Sequence, residues 1–306
     1  MGKLFDLFRK SDVYSLAIRK RPEEGLLFEN NFATFSVLPI SKKYWYADPI
    51  IFNYEGVDYL FCEVYDRSKD IGYIGVSVIR EGVLKKPEII MDIGSHLSYP
   101  CVFEQNGTIY MIPETTTQKN VQLYKANNFP YEWEFVRELL NDEEFADSTF
   151  FQKEDKQILL TFQHYKGNGS ITKTHVFSAM DIEAQGLKAY SSNDFDFNDY
   201  SRGAGKLFEY KQKVYRPAQI CTKEYGYALN FMQVSFDDNN YNEKIVASVY
   251  PESLMFAFKK KIKGIHTYAL TDDYEIIDVK FDDPRLRYQI RRIWRYIKRK
   301  LFERGK

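Results

Sequence analysis

The chain has 306 residues and a mass of 36.2 kDa, with 44% hydrophobic residues, 28% charged residues and a formal net charge of zero at pH 7. This composition is typical of a folded protein and excludes a disordered chain, a collagen and a coiled coil. The aromatic content of 17% favours strands over helices, because aromatic rings pack well on a pleated, half-buried surface.

The N-terminal region shows no targeting pattern. Charged residues interrupt the first twenty positions, so the apolar region of a signal peptide is not expected there. No uncharged apolar run reaches the length of about 18 residues that a membrane-spanning helix needs. The three cysteines lie in apolar runs, as buried thiols do in proteins of a reducing compartment. These features predict a cytoplasmic protein.

One hairpin pattern repeats along the body of the chain. Each copy has an apolar strand ending in a large apolar anchor, a turn four positions later and a second apolar residue seven positions later. The anchors lie 51, 48, 57 and 62 residues apart, at Phe52, Phe103, Phe151, Phe208 and Leu270. A period near fifty with strands and turns is typical of propeller blades. We therefore predict an all-β, five-bladed β-propeller over residues 41–284, after an N-terminal segment over 1–40 that has an amphipathic start followed by an entry strand. A β-sandwich is the alternative.

The repeat places two sets of residues at one end of the ring, four positions before each anchor and eleven positions after it. The first set is Asp48, Tyr99, Asp147, Ala204 and His266. The second set is Glu63, Glu114, Phe162 and Gln219. Arg202 and Arg216 flank the fourth hairpin, and Trp45 precedes the first set. Polar groups at equivalent strand ends around a narrow channel predict an acidic, aromatic-lined funnel.

A funnel of this kind is suited to carbohydrate. Sugar rings stack on aromatic side chains, carboxylates accept hydrogen bonds from hydroxyl groups, and glycosyl chemistry uses paired carboxyl groups. The catalytic candidates are Asp48, Glu114 and Asp147. The substrate-binding candidates are Glu63, Tyr99, Arg202, Arg216, Gln219, His266 and Trp45. Taken singly, each of these residues has a structural hydrogen bond or a core contact as its alternative interpretation.

Five segments within residues 40–280 carry a family resemblance: YADPIIF, LSYPCVFEQNGTIYMIPE, FADSTFF, RGAGKLFEYKQKVYRPAQICTKEYGYAL and GIHTYAL. They resemble the five-bladed propeller domain at the N-terminus of plant glucosamine inositolphosphorylceramide transferases and of related bacterial proteins. More distantly, the fold resembles that of propeller glycosidases such as arabinanases and β-xylosidases. Both resemblances imply a propeller that handles sugars.

The resemblance to the glycosidases also implies roles for individual positions. In those enzymes an Asp opening the first blade is the base, an Asp in the third blade tunes the pKa and has an orienting role, and a Glu in the fourth blade is the acid. Asp48 and Asp147 match the first two by position. The fourth blade has Arg202 followed by Gly203 in place of the acid, so a hydrolase would need Glu114 or Glu63 instead.

The segment over 285–306 is strongly basic. It has ten Lys and Arg residues against one Glu, and its apolar residues recur at steps of three and four. This pattern predicts a basic amphipathic helix that lies on an anionic membrane surface. A terminal helix packed on its own domain is the alternative. Nucleic-acid binding is not expected, because the rest of the chain is acidic and would repel phosphates.

Together these features predict a glycosyltransferase, peripheral on the inner face of the membrane, in the assembly of a surface polysaccharide or glycolipid. Its partners would be a sugar or glycolipid substrate and anionic lipid. The expected donor is a nucleotide sugar with a divalent metal, and Arg202, Arg216 and His266 would face its phosphates. No residue set is predicted as a metal site. A glycoside hydrolase or phosphorylase and a non-catalytic glycan-binding scaffold remain alternatives.

Overall fold

A computed structural model describes residues 11–153, 156–190, 195–237, 240–256 and 261–283, together with residue 294. Within these residues the chain forms five antiparallel sheets. The innermost strands of neighbouring sheets contact each other around the ring, and the Tyr268 backbone N–H donates to the Ala204 carbonyl oxygen where the fourth and fifth sheets meet. The predicted all-β, five-bladed propeller is confirmed.

The strands follow the chain around the ring. Two strands come before the first complete blade: β1 (Ser11–Lys20) and β2 (Ser36–Val37). The first blade contains β3 (Tyr44–Tyr54), β4 (Val57–Asp66), β5 (Ile71–Val78) and β6 (Glu88–Met91). The second contains β7 (Ser98–Gln105), β8 (Thr108–Thr115), β9 (Asn120–Asn128) and β10 (Glu132–Asn141). The third contains β11 (Phe145–Lys153), β12 (Lys156–Tyr165), β13 (Asn168–Ser178) and β14 (Lys188–Ala189).

The fourth blade has a divided inner strand, and the fifth closes the ring. The fourth contains β15 (Arg202–Gly203), β16 (Phe208–Tyr210), β17 (Lys213–Ile220), β18 (Ala228–Asp237) and β19 (Asn240–Val249). The fifth joins β20 (Tyr268–Leu270) and β21 (Tyr274–Asp283) to β1 and β2. Three short 3₁₀ turns lie at Leu27–Glu29, Thr116–Gln118 and Pro251–Ser253. The five predicted hairpins are β3/β4, β7/β8, β11/β12, β16/β17 and β20/β21.

The ring closes by pairing the two ends of the described chain. Strand β1 runs antiparallel to β21 without a break, from Ser11 opposite Asp283 to Lys20 opposite Tyr274. Residues from the predicted N-terminal segment 1–40 are therefore part of the last blade, and the propeller begins before residue 41. Such a closure joins distant parts of the chain in one sheet, and neither β1 nor β21 is left as an exposed edge strand.

Apolar clusters fill the spaces between adjacent blades. Phe103 of the second blade stacks on Phe150 of the third, with ring centroids 4.0 Å apart. Phe28, Phe231 and Tyr268 form a similar aromatic cluster between the fourth and fifth blades. Aromatic pairs with this geometry add to the hydrophobic effect. This packing is where the high aromatic content of the chain is used, and it holds the inner strands in fixed relative positions.

The inner strands of the first three blades contain the same irregularity. Asp48, Tyr99 and Asp147 have positive φ angles of 52°, 42° and 51°. Each lies where the register with the second strand shifts, so each is part of a β-bulge. A bulge turns a side chain away from the regular alternation, and left-handed backbone at a residue other than glycine costs about 1–3 kcal/mol. The threefold recurrence of a strained conformation marks these strand positions as functional candidates.

The predicted basic amphipathic helix over 285–306 lies outside the described residues, apart from Trp294, whose side chain is 69% exposed. The predicted amphipathic start of the N-terminal segment, over residues 1–10, also lies outside them. Within the described part of the chain, no helix combines the length and the hydropathy that crossing a bilayer requires.

Candidate active site

A cavity of about 170 Å³ opens at one end of the central channel. Its wall combines carboxyl groups, two imidazoles, one guanidinium and four large aromatic side chains. The lining residues are Tyr14, Trp45, Asp48, Glu63, Tyr65, His96, Ser98, Glu114, Asp147, Arg202, Tyr225 and His266. All five blades contribute to it, so only the closed ring assembles this site.

The repeat explains how the carboxyl groups reach the cavity. The bulges on β3 and β11 carry Asp48 and Asp147. Glu63 on β4 pairs with Ala47, the residue before the β3 bulge. Glu114 on β8 pairs with Ser98, the residue before the bulge on β7. Both sets of equivalent positions therefore lie at the same end of the channel, as their spacing predicts.

Arg202 joins three blades inside the cavity. Its Nε donates to Asp147 Oδ2 at 2.6 Å, and its Nη2 donates to Glu114 Oε2 at 3.2 Å and to Asp147 Oδ1 at 3.3 Å. Nη1 donates to the carbonyl oxygen of Gly169 at 2.8 Å and lies 3.3 Å from His164 Nε2. Every nitrogen of this buried guanidinium therefore has a protein partner.

The same cluster perturbs Asp147. Burial raises the pKa of Asp147 to about 6, although Arg202 opposes the rise, and the charge of nearby Glu114 adds to it. The backbone N–H of Asp147 donates to Glu114 Oε2 at 3.2 Å, which fixes the two carboxyl groups relative to each other. A carboxyl with a pKa near 6 can exchange a proton close to neutral pH, which is the property a general acid or base needs.

A second cluster centres on His266. Its Nδ1 lies 2.5 Å from Asp278 Oδ2, and its Nε2 lies 3.6 Å from Asp48 Oδ1. Asp48 also accepts hydrogen bonds from Thr267 Oγ1 at 3.0 Å and from the Tyr99 backbone N–H at 3.3 Å. Asp278 lies behind this cluster and accepts three backbone N–H groups, those of Asp48, His266 and Thr267.

The charges in this cluster follow from these contacts. Burial raises the pKa of Asp48 to about 6, with Asp278 and Asp147 adding to the rise and His266 opposing it. Burial alone would raise the pKa of Asp278, but His266 and the backbone N–H donors lower it overall. Burial alone would lower the pKa of His266, but Asp278 and Asp48 raise it overall. Asp278 and His266 thus form an ion pair that lies against Asp48.

Three residues of this cluster could also hold a cation. Asp48, His266 and Asp278 each offer one ligand atom, and these atoms lie within 4.8 Å of one another. All three side chains are buried. A mixed carboxylate and imidazole set suits a divalent transition metal. Asp278 lies outside the equivalent positions of the repeat, so the sequence carries no signal for this metal set.

Aromatic residues form another part of the cavity wall. Trp45 stacks on Tyr65, with centroids 4.3 Å apart and planes within 10°. Tyr14 stacks on His266 at 4.6 Å and packs against Trp45 at 5.2 Å. Tyr225 meets His266 edge-on at 5.6 Å, and the Arg202 guanidinium lies 5.0 Å from the centroid of its ring. A flat aromatic surface beside carboxyl groups is an arrangement that suits a sugar ring.

Seven of the ten predicted site residues line the cavity. They are Asp48, Glu63, Glu114, Asp147, Arg202, His266 and Trp45. The other three lie behind it. Tyr99 bonds Thr149 Oγ1 at 2.8 Å and the Gly205 N–H at 2.9 Å, and Gln219 donates to the Gly203 carbonyl at 2.7 Å. Arg216 is paired with Glu243 at 2.7 Å inside the fourth blade.

The lining also includes residues that sequence reasoning missed. They are Tyr14, Tyr65, His96, Ser98 and Tyr225. Tyr65 and Ser98 lie close to predicted positions on the repeated strands, so the repeat carried a weak signal for them. Tyr14 arrives with the closing strand β1, and His96 and Tyr225 arrive on loops. These three have no equivalent position in the other hairpins, so the repeat contained no signal for them.

Comparison with protein families finds one match along the body of the chain. The family described as glucosamine inositolphosphorylceramide transferase 1, N-terminal, matches residues 36–270. The glucosamine inositolphosphorylceramide transferase 1 of Arabidopsis thaliana is 32% identical over 189 residues, which are 59% of this chain and 24% of that protein. The protein of the same name from Oryza sativa subsp. japonica is 29% identical over 215 residues, 67% of this chain and 27% of that protein. The chain therefore spans about a quarter of the curated relatives that it matches.

Solved structures share the fold at low identity. A family 117 glycoside hydrolase from Zobellia galactanivorans superposes with a TM-score of 0.52 at 12% identity, over 89% of this chain and 93% of that chain. The Bombyx mori GH32 beta-fructofuranosidase superposes with a TM-score of 0.52 at 13% identity, over 69% of this chain and 52% of that chain. At these identities the similarity concerns the fold alone.

Proposed function

This chain belongs to the family of the glucosamine inositolphosphorylceramide transferase 1 N-terminal region, and from that premise we propose that it is a carbohydrate-active protein. The finer proposal is that the cavity of the propeller catalyses glycosyl transfer onto a polysaccharide or glycolipid acceptor. The names of the curated relatives support glycosyl transfer, and this chain aligns with about a quarter of each of those proteins.

The observation that carries this proposal is the composition of the cavity. Four carboxyl groups, those of Asp48, Glu63, Glu114 and Asp147, line a space whose wall also contains the stacked pair Trp45 and Tyr65. Burying a carboxyl group is costly unless the group is paired or hydrogen-bonded. Perturbed titratable groups in a cleft mark functional sites. A neutral ligand with many hydroxyl donors and a flat ring satisfies both the acceptors and the aromatic surface.

The contacts support distinct roles for the three catalytic candidates. Asp48, with a pKa of about 6, is mostly ionised at pH 7 and would accept a proton from an attacking hydroxyl or stabilise positive charge on the sugar. Glu114 and Asp147, both held by Arg202, would accept hydrogen bonds from sugar hydroxyls. Arg202 then acts as a positioning residue that fixes these two acceptors.

The same contacts restrict how a nucleotide sugar would bind. Arg202 is already held by two carboxylates, and Arg216 is paired with Glu243 behind the cavity wall. A diphosphate leaving group would then need a divalent cation, for which Asp48, His266 and Asp278 offer ligand atoms. When bound, such a cation would neutralise the departing phosphate charge.

A glycoside hydrolase is the second candidate. It is favoured by the cavity charge: the described lining has no lysine, and its one arginine is neutralised by Asp147 and Glu114. Such a site is better suited to neutral glycosides than to anionic donors.

A glycan-binding scaffold differs from both enzymes in one outcome, because Asp48→Asn would then change sugar affinity without abolishing a reaction.

We also propose that the segment 285–306 attaches the protein to the cytoplasmic face of a membrane. Its ten cationic residues and recurring apolar residues support this location, since each cation near an anionic surface contributes about 1 kcal/mol. Sedimentation with vesicles of 30% phosphatidylserine should retain the full chain and release a chain ending at residue 284. Equal retention of the two chains would remove the membrane proposal.

A thermal-shift screen tests the proposed function. The purified chain would be tested against nucleotide sugars, free sugars and aryl glycosides, each with and without Mg²⁺ or Mn²⁺. A ligand at 100 times its dissociation constant adds about 2.7 kcal/mol of stability. Stabilisation by one nucleotide sugar with metal would support a transferase, and stabilisation by glycosides alone would favour the hydrolase.

Matched variants locate any binding in the cavity. Asp48→Asn should abolish the shift, and Asp272→Asn should keep it, because the Asp272 side chain is fully exposed and is not part of the lining. A chain that no sugar ligand stabilises would contradict the carbohydrate proposal.

A further inference from the structure

Glu63 differs from the other carboxyl groups of the cavity. It is only 5% exposed, it lines the cavity, and its Oε1 has no hydrogen-bond partner. A buried acceptor without a donor is costly, and the cost is greatest for an ionised carboxylate. A carboxyl that keeps its proton avoids most of this cost and presents an O–H donor instead.

His96 is a basic group that faces this oxygen, and its bonding keeps it neutral. Its Nε2 lies 3.5 Å from Glu63 Oε1. Its Nδ1 accepts a hydrogen bond from the Gly72 backbone N–H at 2.9 Å, so a neutral ring carries its proton on Nε2. Protonating Nδ1 would break that bond, and burial also lowers the pKa of His96. His96 therefore supplies no compensating charge.

The other groups that face Glu63 are negative. They are Asp48 on β3, Glu114 on β8 and Asp278 on β21. Burial raises the pKa of Glu63 well above its ordinary value, and these three charges add to the rise. The guanidinium of the cavity lining, that of Arg202, is bonded to Asp147 and Glu114 and not to Glu63.

Glu114 has the opposite environment. Its Oε2 accepts hydrogen bonds from Arg202 Nη2 and from the Asp147 N–H, both at 3.2 Å. These two donors occupy an oxygen that works as an acceptor. Of the two glutamates that could replace a missing acid in the fourth blade, Glu63 therefore has the geometry of a proton donor.

We propose that Glu63 is the proton donor of this cavity and acts on the glycosidic oxygen of a bound O-glycoside. This step rests on the proposed function. As the bond between the anomeric carbon and the glycosidic oxygen breaks, its electron pair stays on the oxygen, which takes the Glu63 proton. The anomeric carbon then bonds the oxygen of water or of an acceptor hydroxyl, whose proton passes to Asp48. Exchange with solvent returns both carboxyl groups to their starting states.

The proposal names a substrate class. A sugar or alcohol leaves as a strongly basic oxygen and needs a proton, whereas a nucleotide diphosphate leaves as an anion and does not. A built proton donor, together with an arginine already neutralised, assigns the cavity to O-glycoside donors. The acceptor can then be either water or a second sugar.

Carboxyl NMR on the protein labelled with ¹³C in its glutamate side chains tests the protonated state. We expect one glutamate Cδ signal of the protonated form at pH 7, which disappears in Glu63→Gln and remains in Glu104→Gln. Glu104 is exposed on β7 and gives the same substitution away from the cavity. Only ionised glutamate signals at pH 7, or a protonated signal that survives in Glu63→Gln, would overturn the proposal.

Paired aryl glycosides test the chemical step. The probes are the 2,4-dinitrophenyl and phenyl glycosides of glucose, glucosamine, N-acetylglucosamine, xylose and arabinose. Glu63→Gln should slow the phenyl substrate about 10²- to 10⁴-fold and the dinitrophenyl substrate less than about tenfold, because the activated leaving group needs no proton. Equal losses on both would overturn the proton-donor role alone. A wild-type protein that cleaves or transfers none of the pairs would also overturn this role, whereas the proposed function would fail only if no sugar ligand stabilised the chain.

Discussion

Two buried arginines of the fourth blade show how different the cavity is from the interior of a blade. Arg202 on β15 and Arg216 on β17 are 5% and 1% exposed, and both make charged hydrogen bonds to carboxylates. Arg216 pairs with Glu243 on β19 and with the Ser201 carbonyl, all within the fourth blade. Arg202 instead bonds Asp147 of the third blade and Glu114 of the second.

The same ion-pair chemistry has different consequences in the two places. The pair of Arg216 is sealed between strands and stabilises one sheet. The cluster of Arg202 borders a cavity, joins three blades and leaves carboxyl oxygens available to a ligand. From sequence alone the two arginines were equivalent, since both flank the fourth hairpin and both were assigned to a donor phosphate.

The largest effect is expected from Arg202→Met. Removing one partner of a buried pair costs about 3–5 kcal/mol, because Asp147 and Glu114 remain buried without their cation. Arg202 holds down the pKa of Asp147, so that pKa should rise in the variant and the loss of stability should be smaller at pH 5 than at pH 7. Urea unfolding at both pH values measures this. A double variant with Asp147→Asn should recover part of the loss, and a pH-independent loss would contradict the account.

Arg216→Met tests the other side of the comparison. It should also cost about 3–5 kcal/mol, since Glu243 is left buried beside Tyr241. Unlike the Arg202 variant, it should leave the affinity for any sugar that stabilises the wild type unchanged, because Arg216 does not line the cavity. Urea unfolding and a ligand titration below the melting temperature measure the two quantities. A loss of affinity that matches that of Arg202→Met would show that the two regions are not separate.

The Glu63→Gln variant should become increasingly more stable than the wild type as the pH rises. The unfolded chain ionises Glu63 above the ordinary glutamate pKa, whereas the folded protein retains the proton because burial raises the pKa. Between the unfolded and folded pKa values of Glu63 the wild type loses stability relative to the variant as the pH rises, by up to about 1.4 kcal/mol per pH unit. Unfolding curves at pH 5, 6 and 7 measure the slope. Glu104→Gln should show none, and a flat difference for Glu63→Gln would mean that Glu63 is ionised in the fold.

The smallest effect is expected from Thr267→Val. It removes the hydroxyl that donates to Asp48 Oδ1 at 3.0 Å. Because this bond favours the ionised carboxylate, the pKa of Asp48 should rise further above about 6, by about one unit, at a cost near 1.5 kcal/mol at pH 7. An NMR titration of the aspartate carboxyl carbons measures the change. An unchanged or lowered Asp48 pKa would show that Thr267 does not tune the cavity.

Much of the fold was predictable because the hairpin repeat can be recognised from the spacing of residues in the sequence. Equal offsets between each anchor, its turn and the next apolar residue indicate equivalent hairpins, and equivalent hairpins place Asp48 and Asp147 on corresponding inner strands. The bulges that turn these side chains inward were not predictable. Their positive φ angles occur at Asp and Tyr and not at glycine, so composition gives no signal for them.

The sequence by itself determined the number of blades and the polar character of the channel mouth, because both depend on local periodicity. Only the tertiary structure decided which charges meet. Asp48 and Thr267 are 219 residues apart, and Arg202 and Glu114 are 88 apart, so ring closure and blade packing set their distances. The same packing left Glu63 Oε1 without a hydrogen-bond donor and gave Glu114 Oε2 two donors. The chemical difference between two glutamates at equivalent repeat positions is therefore a property of the closed ring.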